Sequence, residues 1–298
     1  FPCRLIFTKR LYGKSGVSYL FLFFNGGSRS ASEILKYMKR FLVKLHWLLS
    51  SQFGVDPLLF FRSFRGLPSY IRDWWKFQNL YEGRLEIKPC LHDRYEEGGV
   101  TKSEYFWQDL LVAQLINKAT PTKHVDVGSR IDGFVSHVAS FRQIEVFDIR
   151  PITAVIPGVT FFQADFMEDP DLAGANDEGY CDSLSCLHAI EHFGLGRYGD
   201  PIDIFGYEKG FCNLANLLKP TGLLYLSTPI GIERVEFNAN RVFNPHTIIA
   251  VAERNQLKLE SLIVISNGSV NDVAVNEESL NKLSEEIYSL GIFTFKKL

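Results

Sequence analysis

No stretch of the 298 residues reaches the 18 or so consecutive apolar residues that a membrane-spanning helix needs, which excludes a chain built of such helices. Cysteine is sparse and irregular. Cys3, Cys90, Cys181, Cys186 and Cys212 are an odd set without framework spacing, which excludes a disulfide-dense secreted scaffold, fits a reducing compartment and gives no pattern for structural zinc. There is no internal repeat and no low-complexity tract. Two phosphate-cradling signatures are also missing. The strict G-x-G-x-x-G does not occur, and the spacing of Gly128 to Gly133 fits G-x-x-x-x-G-K-[ST] only until Phe134 and Val135, which stand where Lys and Ser/Thr must be.

What is present is a globular composition: at 46% hydrophobic and 22% charged residues the chain can bury a real core, as one large domain or as a core domain with an appendage. The formal net charge of -2 hides an asymmetry, because residues 1–88 hold 15 Lys/Arg against 5 Asp/Glu and residues 89–298 hold 17 against 29. The basic section also carries sixteen aromatics between Tyr19 and Tyr81. A basic and greasy arm fits a membrane surface or a partner protein better than nucleic acid.

The chain opens on Phe1 and its first methionine is Met38, so the native start is expected near Met38, with residues 1–37 a non-native or disordered leader. The other reading is a signal peptide: Lys9, Arg10 and Lys14 precede the apolar run 17–24, which is short for such a segment. Over residues 32–49 the apolar positions Ile34, Met38, Phe41, Leu42, Leu45, Leu48 and Leu49 recur at helical spacing, with Lys36, Lys39, Arg40 and Lys44 on the other side. Gly54 and Pro57 should break this helix. An aromatic segment with Phe60, Phe61 and Phe64 follows, and residues 66–68 should punctuate it before a second helix with Trp74, Trp75 and Phe77. Residues 38–88 are thus a basic aromatic helical arm, whose aromatics either pack on the main domain, form a dimer contact or meet a membrane.

From residue 89 the pattern changes. A helix over 103–117 precedes short apolar or β-branched runs at 125–127, 144–147, 159–163, 183–187, 223–227 and 259–265, separated by helix-length intervals. This alternation predicts a parallel α/β sheet with helices on both faces, ending in a helix over 277–290 and a strand over 292–295. In such a sheet ligands bind beyond the carboxyl ends of the strands, where the strand order reverses.

The loop after the first strand reads V-D-V-G-S-R-I-D-G-F, with Gly128 and Gly133 bracketing a turn and a helix carrying Val135, Val138 and Phe141 behind it. Glycine lets backbone approach a ligand, and the helix start offers unpaired N–H groups. Asp148 ends the second strand about twenty residues on, where a carboxylate can accept from both ribose hydroxyls of a nucleoside. Asp165 and Phe166 end the third, suited to an adenine amino group and ring.

These segments, with Glu191-His192 after the fourth strand and L-L-K-P-x-G at 217–222, resemble the class I S-adenosylmethionine-dependent methyltransferases over residues 123–265. The resemblance implies a Rossmann-like α/β sheet, mostly parallel with an antiparallel last strand, over residues 89–298. It implies S-adenosylmethionine as cofactor, held by Asp126, Gly128, Ser129, Arg130, Gly133, Asp148, Asp165, Phe166 and Leu187. More narrowly, V-D-V-G-S-R-I-D-G-F with D-I-R-P at 148–151 resembles an uncharacterised family associated with bacterial surface polysaccharide genes, which implies O-methylation of a sugar of a surface glycan or its precursor, in the cytoplasm or at the inner membrane face. Where relatives carry further glycines, Arg130 and Asp132 stand here, and Arg130 is expected to pair with the methionine carboxylate of the cofactor.

A hydroxyl acceptor needs a general base. His192 is the candidate, with Glu191 as its orienter and His188 beside them; Arg197, Tyr198 and Asp200 in the following loop, and Asn240 and Arg241 further on, suit a sugar or phosphate-bearing acceptor. Two other readings stay open. His188, Glu191 and His192 spell H-x-x-E-H, the spacing of a group of zinc hydrolases, with Glu253 or Glu260 as a third ligand; and the altered glycine turn is compatible with a binding scaffold that keeps the fold without turnover.

Overall fold

The computed structural model describes residues 31–168 and 179–298; most of the expected leader lies outside them. The chain divides into two compact units, the first ending at Glu96 and the second spanning Glu97–Leu298.

In the first unit, α1 (Ala31–Trp47) continues into a π-helical turn, Leu48–Gln52. The chain reverses at Gly54, whose φ of +68° suits a residue without a Cβ. Helix α2 (Pro57–Gln78) starts where the Asp56 carboxylate accepts from the backbone N–H of Leu58 and Leu59, with Pro57 in the first turn. The expected break at 66–68 does not occur: α2 runs unbroken through Gly66 and Pro68. Gly66 is buried, and a Cβ there would overlap the Leu91 carbonyl, so this glycine serves close backbone packing instead of ending the helix. Pro68 removes one backbone donor without stopping the flanking turns.

The second unit is a three-layer α/β/α body. Its eight-stranded sheet has the order β3-β2-β1-β4-β5-β10-β8-β9: β1 (His124–Val127), β2 (Ile144–Asp148), β3 (Val159–Gln163), β4 (Cys181–Leu187), β5 (Leu218–Ile230), β8 (Leu257–Ser266), β9 (Ser269–Val273) and β10 (Ser289–Lys297). Strands β1 to β5 are parallel, and β10 inserts antiparallel between β5 and β8. A separate two-stranded ribbon, β6 (Arg234–Glu236) with β7 (Asn240–Val242), follows β5. One sheet face packs Leu184, Leu224 and Phe293 with Phe211 and Leu214 of α5 (Gly206–Leu217), Ile248 and Val251 of α6 (Pro245–Arg254) and Leu280 of α7 (Glu277–Glu285). The other packs Val146, Tyr225 and Ile292 with Val112 and Ile116 of α3 (Glu104–Ala119) and Val138 of α4 (Ser136–Ala139). Burial on both faces leaves β4 buried at every position but Asp182, although Ser183 and Ser185 interrupt its apolar residues.

Two boundaries differ from expectation. The last helix stops at Glu285, because Ser289 and Leu290 already pair with Ile230 and Pro229 of β5; the sheet overrides the helical period of the tail. The helix after β1 is short, a π-helical turn at Ile131–Val135 followed by four residues of α4, leaving Phe141 beyond it and 42% exposed.

Candidate active site

The strand order reverses between β1 and β4, which lie side by side with Val125 opposite Leu184. Beyond their carboxyl ends is a cavity of about 550 Å³, lined by residues from the loops after β1, β2, β3 and β4 and by Tyr105 of α3. This is within the size range of small-molecule and cofactor sites.

Its floor is the turn after β1. Gly128 has φ +75°, its N–H donates to the Phe147 carbonyl at 2.8 Å, and a Cβ on it would come within 2.8 Å of the Ala189 Cβ. Ser129 ties this turn to β4: its hydroxyl donates to Asp126 Oδ1 at 2.5 Å and accepts from the Leu187 N–H at 3.1 Å. Asp126 is fully buried and also accepts from the Ser129 N–H and the Ser185 hydroxyl. Burial pushes its carboxyl up to about 7, against those hydrogen bonds. Asp126 and Leu187 do not line the cavity; they fix the turn that does. Gly133 does not line it either, because it leaves room for the Asp109 carboxylate of α3, which a Cβ would strike.

Arg130 lines the cavity, but its guanidinium is held by Asp132 through Nε at 3.1 Å and Nη2 at 2.7 Å and sits 5.3 Å from the Tyr105 ring centre. The cation expected for a carboxylate ligand therefore already has one, two residues away. Asp148 reaches the cavity from β2, yet it takes three bonds from Arg150: N–H and Nε–H to Oδ1 and Nη2–H to Oδ2. A carboxylate offers about four acceptor positions, so one remains on Oδ2 where two were expected. Asp165 accepts from the Met167 N–H through Oδ1 at 2.8 Å, leaving Oδ2 without a partner among the described residues. Phe166 is buried against Phe147 edge-to-face, with ring centres 5.6 Å apart, and lines the same wall.

The H-x-x-E-H segment lies on a short 3-10 turn, Ile190–His192, with His188 just before it at φ +51°. Glu191 is fully buried between the two histidines: its Oε1 accepts from His188 Nδ1 at 2.8 Å and stays 3.9 Å from His192 Nε2. Burial opposes charge on both members of the Glu191–His188 pair, but each stabilises the other, so the His188 pKa rises and the Glu191 pKa falls. His188 Nε2 is 3.6 Å from Glu104, and its ring packs on Tyr105 with centres 4.6 Å apart. Glu191 thus orients His188, a correction to its expected role toward His192.

His192 is oriented differently. Its Nδ1–H donates to the Ala239 carbonyl at 2.7 Å, and Arg197 Nη1 donates to the same oxygen at 2.8 Å; the 3.4 Å contact between Arg197 and His192 Nδ1 is two donors sharing one acceptor. Burial and then the nearby Arg197 push the His192 pKa down, with Glu191 opposing. The ring is therefore a neutral imidazole whose Nε2 carries the lone pair, and it lines the cavity beside Tyr198, edge-on at 5.5 Å. The histidines do not gather as metal ligands. The one three-residue group among the described residues whose ligand atoms gather is His92, Asp93 and Glu96 in the first unit. Glu253 and Glu260 are exposed residues of α6 and β8.

Arg197, Tyr198 and Asp200 all line the cavity. The Asp200 carboxylate is bound to the N–H groups of Gly194, Gly196 and Tyr198, so it shapes the loop. Asn240 and Arg241 do not line the cavity: Asn240 donates to the Arg241 carbonyl at 3.1 Å, and Arg241, 5% exposed, donates to the carbonyls of Glu191 and Phe193, fixing the turn that carries His192. Tyr105 and Arg150 were missed as site residues. Arg150 was legible in D-I-R-P, whereas nothing in the sequence of α3 marks Tyr105 as facing a loop after β1.

Five parallel strands in the order β3-β2-β1-β4-β5, closed by an antiparallel strand between β5 and β8, form the expected Rossmann-like sheet. This is the fold class that the sequence implied: mostly parallel, with antiparallel β10 beside β5. Residues 174–296 match the family described as Caenorhabditis protein of unknown function, DUF268, and no curated protein sequence matches the chain. Solved structures similar to the chain include the 1,6-didemethyltoxoflavin-N1-methyltransferase of Burkholderia thailandensis, at 10% identity over 64% of this chain and 79% of that one, TM-score 0.44. The N-methyltransferase NodS of Bradyrhizobium japonicum WM9 matches at 11% identity over 67% and 89%, TM-score 0.44. The [4+2]-cyclase SpnF matches at 12% over 63% and 81%, TM-score 0.44.

Proposed function

We propose that the second unit is an S-adenosylmethionine-dependent methyltransferase that acts on a hydroxyl group. The observation that carries this reading is the convergence on one cavity, at the carboxyl ends of β1 to β4, of the Gly128 turn, the Asp148 and Asp165 carboxylates and the neutral His192. The turn leaves room for the cofactor: Gly128 and Ser129 line the cavity, and positive φ with the Ala189 wall behind it keeps position 128 free of a side chain. Gly128, Ser129, Asp148, Asp165 and Phe166 would hold its nucleoside. When bound, S-adenosylmethionine supplies a methyl group on a sulfonium, open to in-line displacement by an oxygen nucleophile. His192 Nε2 takes the proton of the acceptor hydroxyl, and the Ala239 carbonyl keeps the ring in the tautomer that leaves Nε2 free. Arg241 and Arg197 hold the two sides of that turn in place.

For the acceptor we infer a sugar hydroxyl of a surface glycan or its precursor, which would put the enzyme in the cytoplasm at a membrane face. Its support is the resemblance of the D-V-G-S-R-I-D-G-F and D-I-R-P segments, together with the Tyr198 ring beside the Arg197 guanidinium, at 5.2 Å. An aromatic ring beside a guanidinium without an acid partner among the described residues suits a sugar bearing an anionic group. The Arg150 clamp on Asp148 favours a second reading, a subunit that keeps the fold without turnover.

Calorimetric titration with S-adenosylmethionine and S-adenosylhomocysteine tests the first step. Micromolar binding of both, lost in Gly128→Val, is expected; absence of heat at millimolar ligand refutes the proposal. Tight binding without methyl transfer to any glycan precursor selects the second reading.

A further inference from the structure

Helix α2 has two unlike faces. Turned at the helical repeat, Phe60, Phe61, Phe64, Ile71, Trp75 and Phe77 share one broad arc, and Arg62, Arg65, Arg72 and Lys76 occupy the opposite arc. A soluble helix buries the apolar arc of such a pattern, yet these six apolar side chains are between 47% and 70% exposed. The polar arc holds one acid, Asp73, and that carboxylate is paired with both Arg72 and Arg94. Arg62, Arg65 and Lys76 have no carboxylate partner among the described residues. Helix α1 repeats the theme, with Leu35, Met38, Phe41, Leu42 and Leu45 exposed beside Lys39 and Lys44. No helix among the described residues is long and apolar enough to cross a membrane, and five charged residues within α2 forbid it from spanning.

We propose that the first unit docks on an anionic lipid surface, with α2 lying in the plane of the interface, its aromatic arc in the headgroup and acyl boundary and its basic residues reaching the anionic headgroups. Charge complementarity selects this occupant. Residues 31–81 hold eight Lys/Arg against three Asp/Glu, so a second copy of the chain would bring like charge to the rim of the patch, whereas an anionic bilayer supplies an apolar layer and a negative layer in the order the two arcs need. Rings of Phe and Trp are the side chains that settle at that boundary. This inference does not rest on the activity of the second unit.

The test uses the full chain and two kinds of vesicle, phosphatidylcholine alone and phosphatidylcholine with about 30% phosphatidylserine, which gives a negative surface. The protein should sediment with the anionic vesicles, with a blue shift of the emission of Trp47 and Trp75, which are 52% and 57% exposed. Binding should weaken steeply when salt is raised from about 0.05 to 0.5 M. A triple charge reversal, R62E with R65E and K76E, leaves the aromatic arc intact and should lower partitioning at least a hundredfold, since each cation near such a surface is worth about fivefold. Replacing Phe60, Phe61 and Phe64 by Ser should cost on the order of a hundredfold as well; the charge variant and the salt series keep the test decisive if that variant folds poorly. The proposal is overturned by protein that stays in the supernatant, by equal partitioning onto neutral vesicles, or by a charge variant that binds as the parent does. Light scattering that shows a dimer broken by the Phe substitutions, with no vesicle binding, would give the patch to a second copy instead.

Discussion

Replacing Asp126 by Asn should change how stability depends on pH. Asp126 is fully buried at the end of β1 and its carboxyl is pushed by burial from 3.8 up to about 7. The native state therefore holds a proton more tightly than the unfolded chain does. A raised carboxyl pKa gives a stabilising contribution that is complete below the unfolded value and is lost as pH rises through the folded one. At 1.36 kcal/mol per unit, a shift from 3.8 to about 7 corresponds to about 4 kcal/mol across that window. Asn keeps the size and the acceptor oxygen but has no proton to lose. Urea unfolding of the full chain and of Asp126→Asn, followed by near-ultraviolet circular dichroism at about pH 4, 5.5, 7 and 8.5, isolates this difference, because every other titrating group is common to both. The stability of the parent minus that of the variant should fall by about 4 kcal/mol from the lowest to the highest pH. A difference that stays flat within about 0.5 kcal/mol would refute the reasoning, and with it the view that burial raises the Asp126 carboxyl against the hydrogen bonds from Ser129 and Ser185.

His192→Asn should lower kcat for a hydroxyl acceptor by a factor of about 10² to 10⁴ while leaving the dissociation constant of S-adenosylhomocysteine unchanged. Because burial and Arg197 lower the His192 pKa, the acid limb of the parent rate profile should fall below the ordinary histidine value of 6.5. The two glycines of the turn should separate. Gly133→Ala drives a Cβ into the Asp109 carboxylate and should cost about 1–3 kcal/mol of stability with cofactor affinity retained, whereas Gly128→Ala, at positive φ and against Ala189, should weaken cofactor binding at least tenfold in isothermal titration. For the Glu191–His188 pair, the raised His188 pKa gives stability complete below 6.5 and lost as pH rises through the folded value; the lowered Glu191 pKa gives stability present above 4.5 and lost as pH falls through the folded value. The stability difference between the parent and His188→Asn should thus be greatest between those values and shrink on both sides.

The sheet was legible because its central strands are short, apolar and separated by helix-length intervals; β3 runs over the residues expected, Val159–Gln163. The hairpin strand β9 and the β6–β7 ribbon were not legible, since segments such as Arg234–Glu236 are polar and mostly exposed, and only pairing across the turn makes them strands. In α2, Gly66 and Pro68 read as punctuation, yet packing against the Leu91 carbonyl gives the glycine another reason to be there. At the cavity, residue type and strand-end position picked out Gly128, Asp148, Asp165, Phe166 and His192, all of which line it. The same reasoning gave Gly133 and Leu187 to the cofactor and Arg241 to the substrate, because a linear pattern does not say whether a polar or small residue faces the cavity or the shell behind it.

The charges around the cavity make the same point in energetic form. Arg130 is held by Asp132, Arg150 by Asp148 and Glu191 by His188. Each of these satisfied pairs presents little net field to a ligand, since opposite charges a few ångströms apart cancel beyond their own neighbourhood. Among the described residues, what stays open is Asp165 Oδ2, one acceptor position on Asp148, His192 Nε2 and the Arg197 guanidinium, whose donation goes to a backbone carbonyl and not to an acid. The open acceptors Asp148 and Asp165 stand at the ends of β2 and β3, and the base and the cation stand after β4. The two sets are linked across the cavity, since Arg150, held by Asp148, lies 4.4 Å from the Tyr198 ring, which packs edge-on against His192. The proposed transfer to a hydroxyl acceptor would draw on both sets: carboxylate oxygens that can accept from a nucleoside, and an imidazole and a guanidinium that can meet the acceptor.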